Sequence, residues 1–244
     1  MERYARQIVL PEIGLSGQKQ LAEARVVVVG CGGLGAANAE LLARIGIGRL
    51  TLIDPDRVEE SNLPRQLLYT EADARRGTLK AQAAARRLQA INSSVEVTAV
   101  PATLDQTNAT AVLAGAQVIV DATDNYRTRL LINDYCLERG IPWVYGGVAG
   151  MTGMVMPILP GRSACFRCLL PGEPGRDYPQ RHAQVGVLGT VPICVASWQV
   201  TWVAKLLLAP AKVQPGLLEF NLWTGSSRQI TIPRDPHCPA CATR

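Results

Sequence analysis

The chain has 244 residues, 48% of them hydrophobic, a formal charge of +5 and 7 cysteines. That length suits one large α/β domain or two small ones, and the apolar content excludes a disordered chain. Lys and Arg are in modest excess but form no basic run interleaved with aromatics, which argues against a nucleic-acid face and fits a small anionic ligand or an acidic partner.

Residues 1–24 read as two short helices, the second around 17–24, forming an N-terminal arm outside the sheet. The start, MERYARQIVL, lacks the apolar core of a secretory signal, so a cytoplasmic protein is expected. An odd number of cysteines, four of them in CxxC pairs, also argues against a secreted disulfide framework.

The stretch RVVVVGCGGLG at 25–35 is the centre of the chain. Its consecutive valines form a β-branched run too short for a helix, which suits a strand at 26–30 buried on both faces of a parallel sheet. Gly30, Gly32 and Gly35 then spell G-x-G-x-x-G, with Gly33 inside the turn, and a helix at 34–45 runs out at GIG. Strand, glycine turn and helix together point to a nucleotide site, because backbone can approach phosphate there and free amides at the helix start favour negative charge. Asp54 closes a strand at 50–53, at the distance where an acidic residue meets a ribose hydroxyl.

Strand and helix keep alternating: helix 78–91, strand 95–100, helix 106–114, strand 117–121, helix 126–139, strand 142–146. The pattern predicts a Rossmann-like α/β fold with a doubly wound, mostly parallel sheet. Residues 55–77 form a long connection holding SNLPRQ, of the kind that is usually functional. After Gly150, runs at 151–159 and 165–170 read as antiparallel strands that extend the sheet. Residues 171–184 read as a mobile crossover loop. Residues 183–204 carry no charge and are long enough to span a bilayer. Gly186, Gly189, Pro192, Ser197 and Gln199 interrupt them, so a buried helix and no membrane partner are expected. Strands at 217–222 and 228–232 and a tail with the last CxxC follow. The whole, 1–244, reads as a single domain: the arm, a nucleotide-binding half at 25–150 and a second half at 151–244.

Cys165 and Cys168 with Cys238 and Cys241 make two CxxC knuckles, a spacing that lets two thiolates meet one ion. Four thiolates complete a tetrahedral structural zinc site with no open position. A redox dithiol is the alternative, but neither pair opens a helix as a thioredoxin-like CxxC does. Arg65, in the long connection, and Lys80, opening the next helix, are two cations near the glycine turn, as a triphosphate needs. Asp124, in DATDN, follows a strand at the sheet's carboxyl edge, where a carboxylate can hold Mg²⁺. A helix N-cap by Asp124 or Asn125 is the alternative.

Taken in order, RYARQ, GCGGLG, LIDPD, SNLPRQ, a lysine opening the next helix, DATDN and the paired CxxC resemble the MoeB/ThiF/HesA family, the ubiquitin-activating-enzyme-like adenylyltransferases of molybdenum-cofactor and thiamine biosynthesis. The resemblance covers almost the whole chain. It implies that ATP and Mg²⁺ are used to adenylate the C-terminal Gly-Gly of a small ubiquitin-like sulfur-carrier protein, bound by the half at 151–244, with release of pyrophosphate. It also implies that Gly33 and Asp54 bind the nucleotide, that Asn62, Arg65 and Lys80 contact phosphates, and that Asp124 holds Mg²⁺ beside Asn125. Arg6, in RYARQ, matches an arginine that crosses a homodimer interface to the partner's ATP. The chain departs from the family at one place. Members that link covalently to the carrier have a cysteine in the crossover loop, where this sequence has His182. Cys31, Cys136 and Cys194 read as core residues, and no sulfurtransferase domain follows the tail, so sulfur is expected from a separate donor. The reading from another class is an NAD(P)-dependent oxidoreductase, which would satisfy the first 54 residues alone but leaves Arg65, Lys80, DATDN and the knuckles unexplained.

Overall fold

The computed structural model of the protein describes residues 2–170 and 186–242. In chain order, helices α1 (Ala5–Ile8) and α2 (Gly14–Glu23) form the arm, and β1 (Arg25–Val29), α3 (Gly33–Ile45) and β2 (Arg49–Ile53) follow. The series continues with α4 (Glu71–Arg75), α5 (Lys80–Ile91), β3 (Glu96–Val100), α6 (Ala109–Val112), β4 (Val118–Asp121), α7 (Tyr126–Arg139) and β5 (Trp143–Ala149). The remainder is β6 (Thr152–Ile158), α8 (Phe166–Leu169), α9 (Thr190–Leu208), β7 (Leu217–Asn221) and β8 (Ser226–Ile230).

Among the described residues the sheet has eight strands in the order β3-β2-β1-β4-β5-β6-β7-β8. Strands β3 to β5 of that order pair in parallel, and β6, β7 and β8 join antiparallel. Side chains alternate along a strand, so Val26 and Val28 enter one core with Leu42 and Val203, while Val27 and Val29 enter another with Ile119, Ile132 and Trp143. Both faces of β1 are thus covered, and each buried valine contributes about 1.5–3 kcal/mol. The order of strands reverses between β1 and β4. A crevice opens outside the carboxyl ends of the strands at such a point, and ligands bind there in open α/β sheets.

The structure moves several expected boundaries. The run at 165–170 is not a strand: Cys165 precedes a single turn, α8, whose first amide, Phe166 N, donates to the side chain of Asn133. A turn brings cysteines three apart onto one side, which a strand would not do. The long connection at 55–77 is not structureless either, because it contains a 3₁₀ turn, Glu60–Asn62, and α4, which Thr70 caps. Only residues 109–112 of the helix expected at 106–114 are helical. The late apolar helix starts at Thr190 and runs to Leu208. It has the length and apolar composition to cross a membrane, yet it packs against α3, β5 and β6 as a core helix. The crossover loop expected at 171–184, with His182, lies outside the described residues.

Candidate active site

The glycine turn is built by close contacts that only glycine allows. Gly30 adopts φ 92°, and a Cβ there would lie 2.6 Å from the Ala122 carbonyl oxygen. A Cβ on Gly35 would overlap the Gly30 carbonyl oxygen, so this glycine lets α3 pack against the end of β1. Asp54 fixes the turn from the neighbouring strand: its carboxylate accepts the Cys31 amide at 2.6 Å and the Asp56 amide at 2.8 Å. Burial pushes the Asp54 carboxyl above the usual carboxylate range, against the pull of those two amides. The hydroxyl of Tyr69 donates to the Cys31 carbonyl at 2.7 Å, which holds the same residue from its other side.

The turn opens into a cleft of about 860 Å³. Gly30, Gly32, Gly33, Asp54, Asn62, Arg65, Lys80, Asp124 and Asn125, all expected from the sequence, line it together. Asn62 is buried and accepts the Glu59 amide, so it closes the 3₁₀ turn that carries it. Arg65 donates to the Ser61 carbonyl at 2.8 Å, which anchors the guanidinium to the same turn. Lys80 is buried at the start of α5, with its ammonium 2.9 Å from Asp56 at the cleft wall. The sequence reading did not single out Asp56, although LIDPD contains it; nor did it single out Gln66, the last residue of SNLPRQ, which is buried at the cleft wall with its side-chain oxygen unpartnered among the described residues.

In DATDN, Asn125 is the N-cap of α7, its side-chain oxygen accepting the Thr128 amide at 2.9 Å. Asp124 is left exposed at the cleft and makes no hydrogen bond or ion pair among the described residues. Beneath it lies a buried ion pair that the sequence reading did not name. Arg129 lies 3.1 Å from Asp121, donates to the Thr123 and Gly146 carbonyls, and stacks 5.1 Å over the Tyr145 ring. Asp121 in turn accepts the Thr123 amide and hydroxyl. Burial raises the Asp121 carboxyl although Arg129 lies beside it. The pair ties the loop bearing Asp124 to β5, and Gln199 of α9 joins it by donating to the Asp121 and Val144 carbonyls.

Arg6 is not in this cleft. It is exposed on α1, which is pinned elsewhere: Gln7 donates to the Ile45 carbonyl and Arg3 to the Ile91 carbonyl, at the carboxyl ends of α3 and α5. Those ends face the edge of the sheet opposite the glycine turn. The four knuckle cysteines do meet, with sulfur separations of 3.6 Å for Cys165 and Cys238, 3.5 Å for Cys168 and Cys241, and 3.9 Å for Cys165 and Cys168. Zn–S bonds of about 2.3 Å in a tetrahedron put sulfurs about 3.8 Å apart, so the set fits zinc. None of the four lines the cleft, as a structural site requires. Cys31 and Cys136 are buried, and burial pushes both thiols up, away from thiolate. Cys194 corrects the sequence reading in part: it packs against the core but is only partly buried.

A profile of the ThiF family matches residues 4–240. The chain is 41% identical over 244 residues to the sulfur carrier protein ThiS adenylyltransferase of Bacillus subtilis, covering 99% of this chain and 72% of that protein. It is also 41% identical over 247 residues to the sulfur carrier protein adenylyltransferase of Thermus thermophilus, covering 99% of this chain and 90% of that one. Among solved structures, E. coli MccB with succinimide superposes with a TM-score of 0.82 over 98% of this chain and 74% of that one, and its 24% identity speaks for the fold alone. With a family profile matching nearly end to end and relatives 41% identical over 99% of this chain, the chain belongs to the ThiF family.

Proposed function

We propose that the protein is an ATP-dependent adenylyltransferase that activates the C-terminal glycine of a small ubiquitin-like sulfur-carrier protein and releases pyrophosphate. The observation that carries this is the cleft: the glycine turn, Asn62, Arg65, Lys80 and Asp124, from four separate segments, line one cavity. The names of the two relatives at 41% identity support the same reaction and partner. An oxidoreductase would leave those cations and Asp124 without a task.

The nucleophile is the carrier's terminal carboxylate, an anion at neutral pH with an ordinary pKa near 3.3–3.7. No general base is needed. Its oxygen forms a bond to the α-phosphorus while the bond from that phosphorus to the bridging oxygen breaks, so pyrophosphate leaves with the electron pair. Negative charge builds on the phosphate oxygens, and pre-placed donors stabilise it without reorganising. Lys80 is held for this by Asp56, Arg65 by the Ser61 carbonyl, and the glycine turn by Asp54. Asp54, at the cleft wall, would also meet the ribose. Asp124 would hold Mg²⁺, which would neutralise phosphate charge, and an exposed carboxylate suits a hard cation. Cys165, Cys168, Cys238 and Cys241 would hold a zinc ion, which would tie the C-terminal tail to the segment after β6.

Two copies complete the site. Arg6 lies outside its own cleft, and Val9, Leu10 and Leu15 beside it expose apolar surface for a second copy to cover. A separate sulfur donor attacks the acyl carbon of the adenylate and AMP leaves, in thiamine or molybdopterin synthesis in the cytoplasm, without a stored thioester, since burial pushes the Cys31 and Cys136 thiols away from thiolate and the sequence has His182 where covalently linking members have a cysteine. The test is ATP-pyrophosphate exchange with a carrier ending in Gly-Gly. Exchange is expected with wild type and a loss of about 100-fold or more in Asp124→Ala. Undiminished exchange in that variant would sink the assignment, and tighter binding of NAD(H) than of ATP would favour the oxidoreductase.

A further inference from the structure

Different elements carry the two sides of the cleft. The glycine turn leads from β1 into α3, Asp124 follows β4, and the two strands end level with one another, Val29 paired with Asp121. A Mg²⁺ ion at Asp124 and the glycine turn would share one triphosphate, so the spacing of these two sides decides how well metal-bound ATP fits.

One side chain spans them. Gln199 is fully buried and is the one polar residue on the buried face of α9. Its Nε2 donates to the Asp121 carbonyl at 2.7 Å and to the Val144 carbonyl at 3.1 Å, while its Oε1 accepts Nδ2 of Asn38, in α3, at 2.7 Å. Asn38 also donates to the Leu34 carbonyl in the first turn of α3, beside the glycines. Asp121 lies three residues before Asp124, and Arg129 already holds its carboxylate. A single carboxamide thus bonds the helix of one side and the strand ends of the other. Room for it comes from Gly146, where a Cβ would lie 2.5 Å from Gln199 Nε2. Two carbonyls at a buried site need a donor, but the link to α3 goes beyond that need and carries a cost. Asn38 is fully buried in a helix turn shared with Ala36, Ala37 and Ala39, and its Oδ1 has no partner among the described residues. A buried polar link kept at that cost points to a role beyond packing.

We propose that Gln199 is a positioning residue: with Asn38 it fixes the glycine turn and the Asp124 loop at the separation that a metal-bound triphosphate requires. Neither residue lines the cleft, so both act through the elements they hold. The proposal rests on the reading of the cleft as an ATP and Mg²⁺ site given above.

Equilibrium titration with ATP, once with Mg²⁺ and once in EDTA, tests it, because ATP alone uses the glycine turn and metal-bound ATP uses both sides. Gln199→Met keeps the volume of the side chain and removes its bonds. Asn38→Ala removes only the link to α3 and leaves the Gln199 bonds to Asp121 and Val144, so it decides the matter where Gln199→Met does not fold. The quantity read is the ratio of the two Kd values, the gain in affinity on adding Mg²⁺, at a temperature where circular dichroism shows the variant folded. That gain is expected to fall about tenfold in Gln199→Met and about threefold in Asn38→Ala, which loses one bond across the joint. An unchanged ratio in the folded variants overturns the proposal, even where both Kd values rise together, since that is damage to the glycine turn alone. A wild-type protein that binds no ATP, or binds it equally with and without Mg²⁺, overturns the reading of the cleft, and the proposal falls with it.

Discussion

Asp54 accepts two backbone amides from a position 5% exposed, so its replacement by Asn turns an NH₂ group against one of them. Leaving one buried donor unsatisfied costs about 1–3 kcal/mol, and denaturant unfolding of Asp54→Asn should read a loss of that size. The pH dependence has a definite sign. Burial raises the folded carboxyl above its ordinary 3.8, so its stabilising contribution is complete below that value and is lost as pH rises through the folded pKa. The stability gap between wild type and Asp54→Asn should narrow on that rise and then stay flat; a widening gap would contradict the burial argument. Single residues were legible where their chemistry is local. Gly30, Gly35, Lys80 and Asp124 announce themselves by motif and by place after a strand. Asp56, Tyr69 and Arg129 do not, because their partners come from other segments: Tyr69 bonds Cys31 across 38 residues, and Asp56 meets Lys80 across 24.

At the scale of elements, the parallel half was readable because a strand buried on both faces is a continuous apolar run, and β1, β2 and β4 are such runs. The segment from Cys165 to Leu170 misled for the same reason. Its apolar residues pack into a core in either conformation, and the geometry is set by the thiols, which need a turn. That segment carries a prediction. Structural zinc contributes on the order of 10 kcal/mol to small metal-dependent folds, and less net here, where the sheet has its own cores. About one zinc per chain should be found in protein prepared without chelator. Its removal should loosen residues 231–242 to proteolysis before ATP binding is lost. A metal-free preparation with an intact, protected tail would refute the site.

For the whole molecule, the sheet order was legible in class but not in assembly, since no strand pattern says which edge of the sheet an N-terminal arm will hold. The arm is fastened at the edge opposite the cleft, through Gln7 and Arg3, so Arg6 either serves a partner's site or none. Mixing Arg6→Ala with Lys80→Ala protein decides between these. Shared sites predict recovered exchange, because each mixed dimer regains one intact cleft; no recovery would remove Arg6 from the reaction. The central claim is that the carrier's terminal carboxylate becomes joined to AMP in this cleft. Its most direct measurement is a single turnover with ATP labelled at the α-phosphate and a Gly-Gly carrier in excess of nucleotide, quenched in acid and read by intact mass. The account predicts labelled AMP on the carrier's C-terminal glycine, one pyrophosphate per adduct, and none with Lys80→Ala. Pyrophosphate release with no label on the carrier, or label on the enzyme instead, would contradict it.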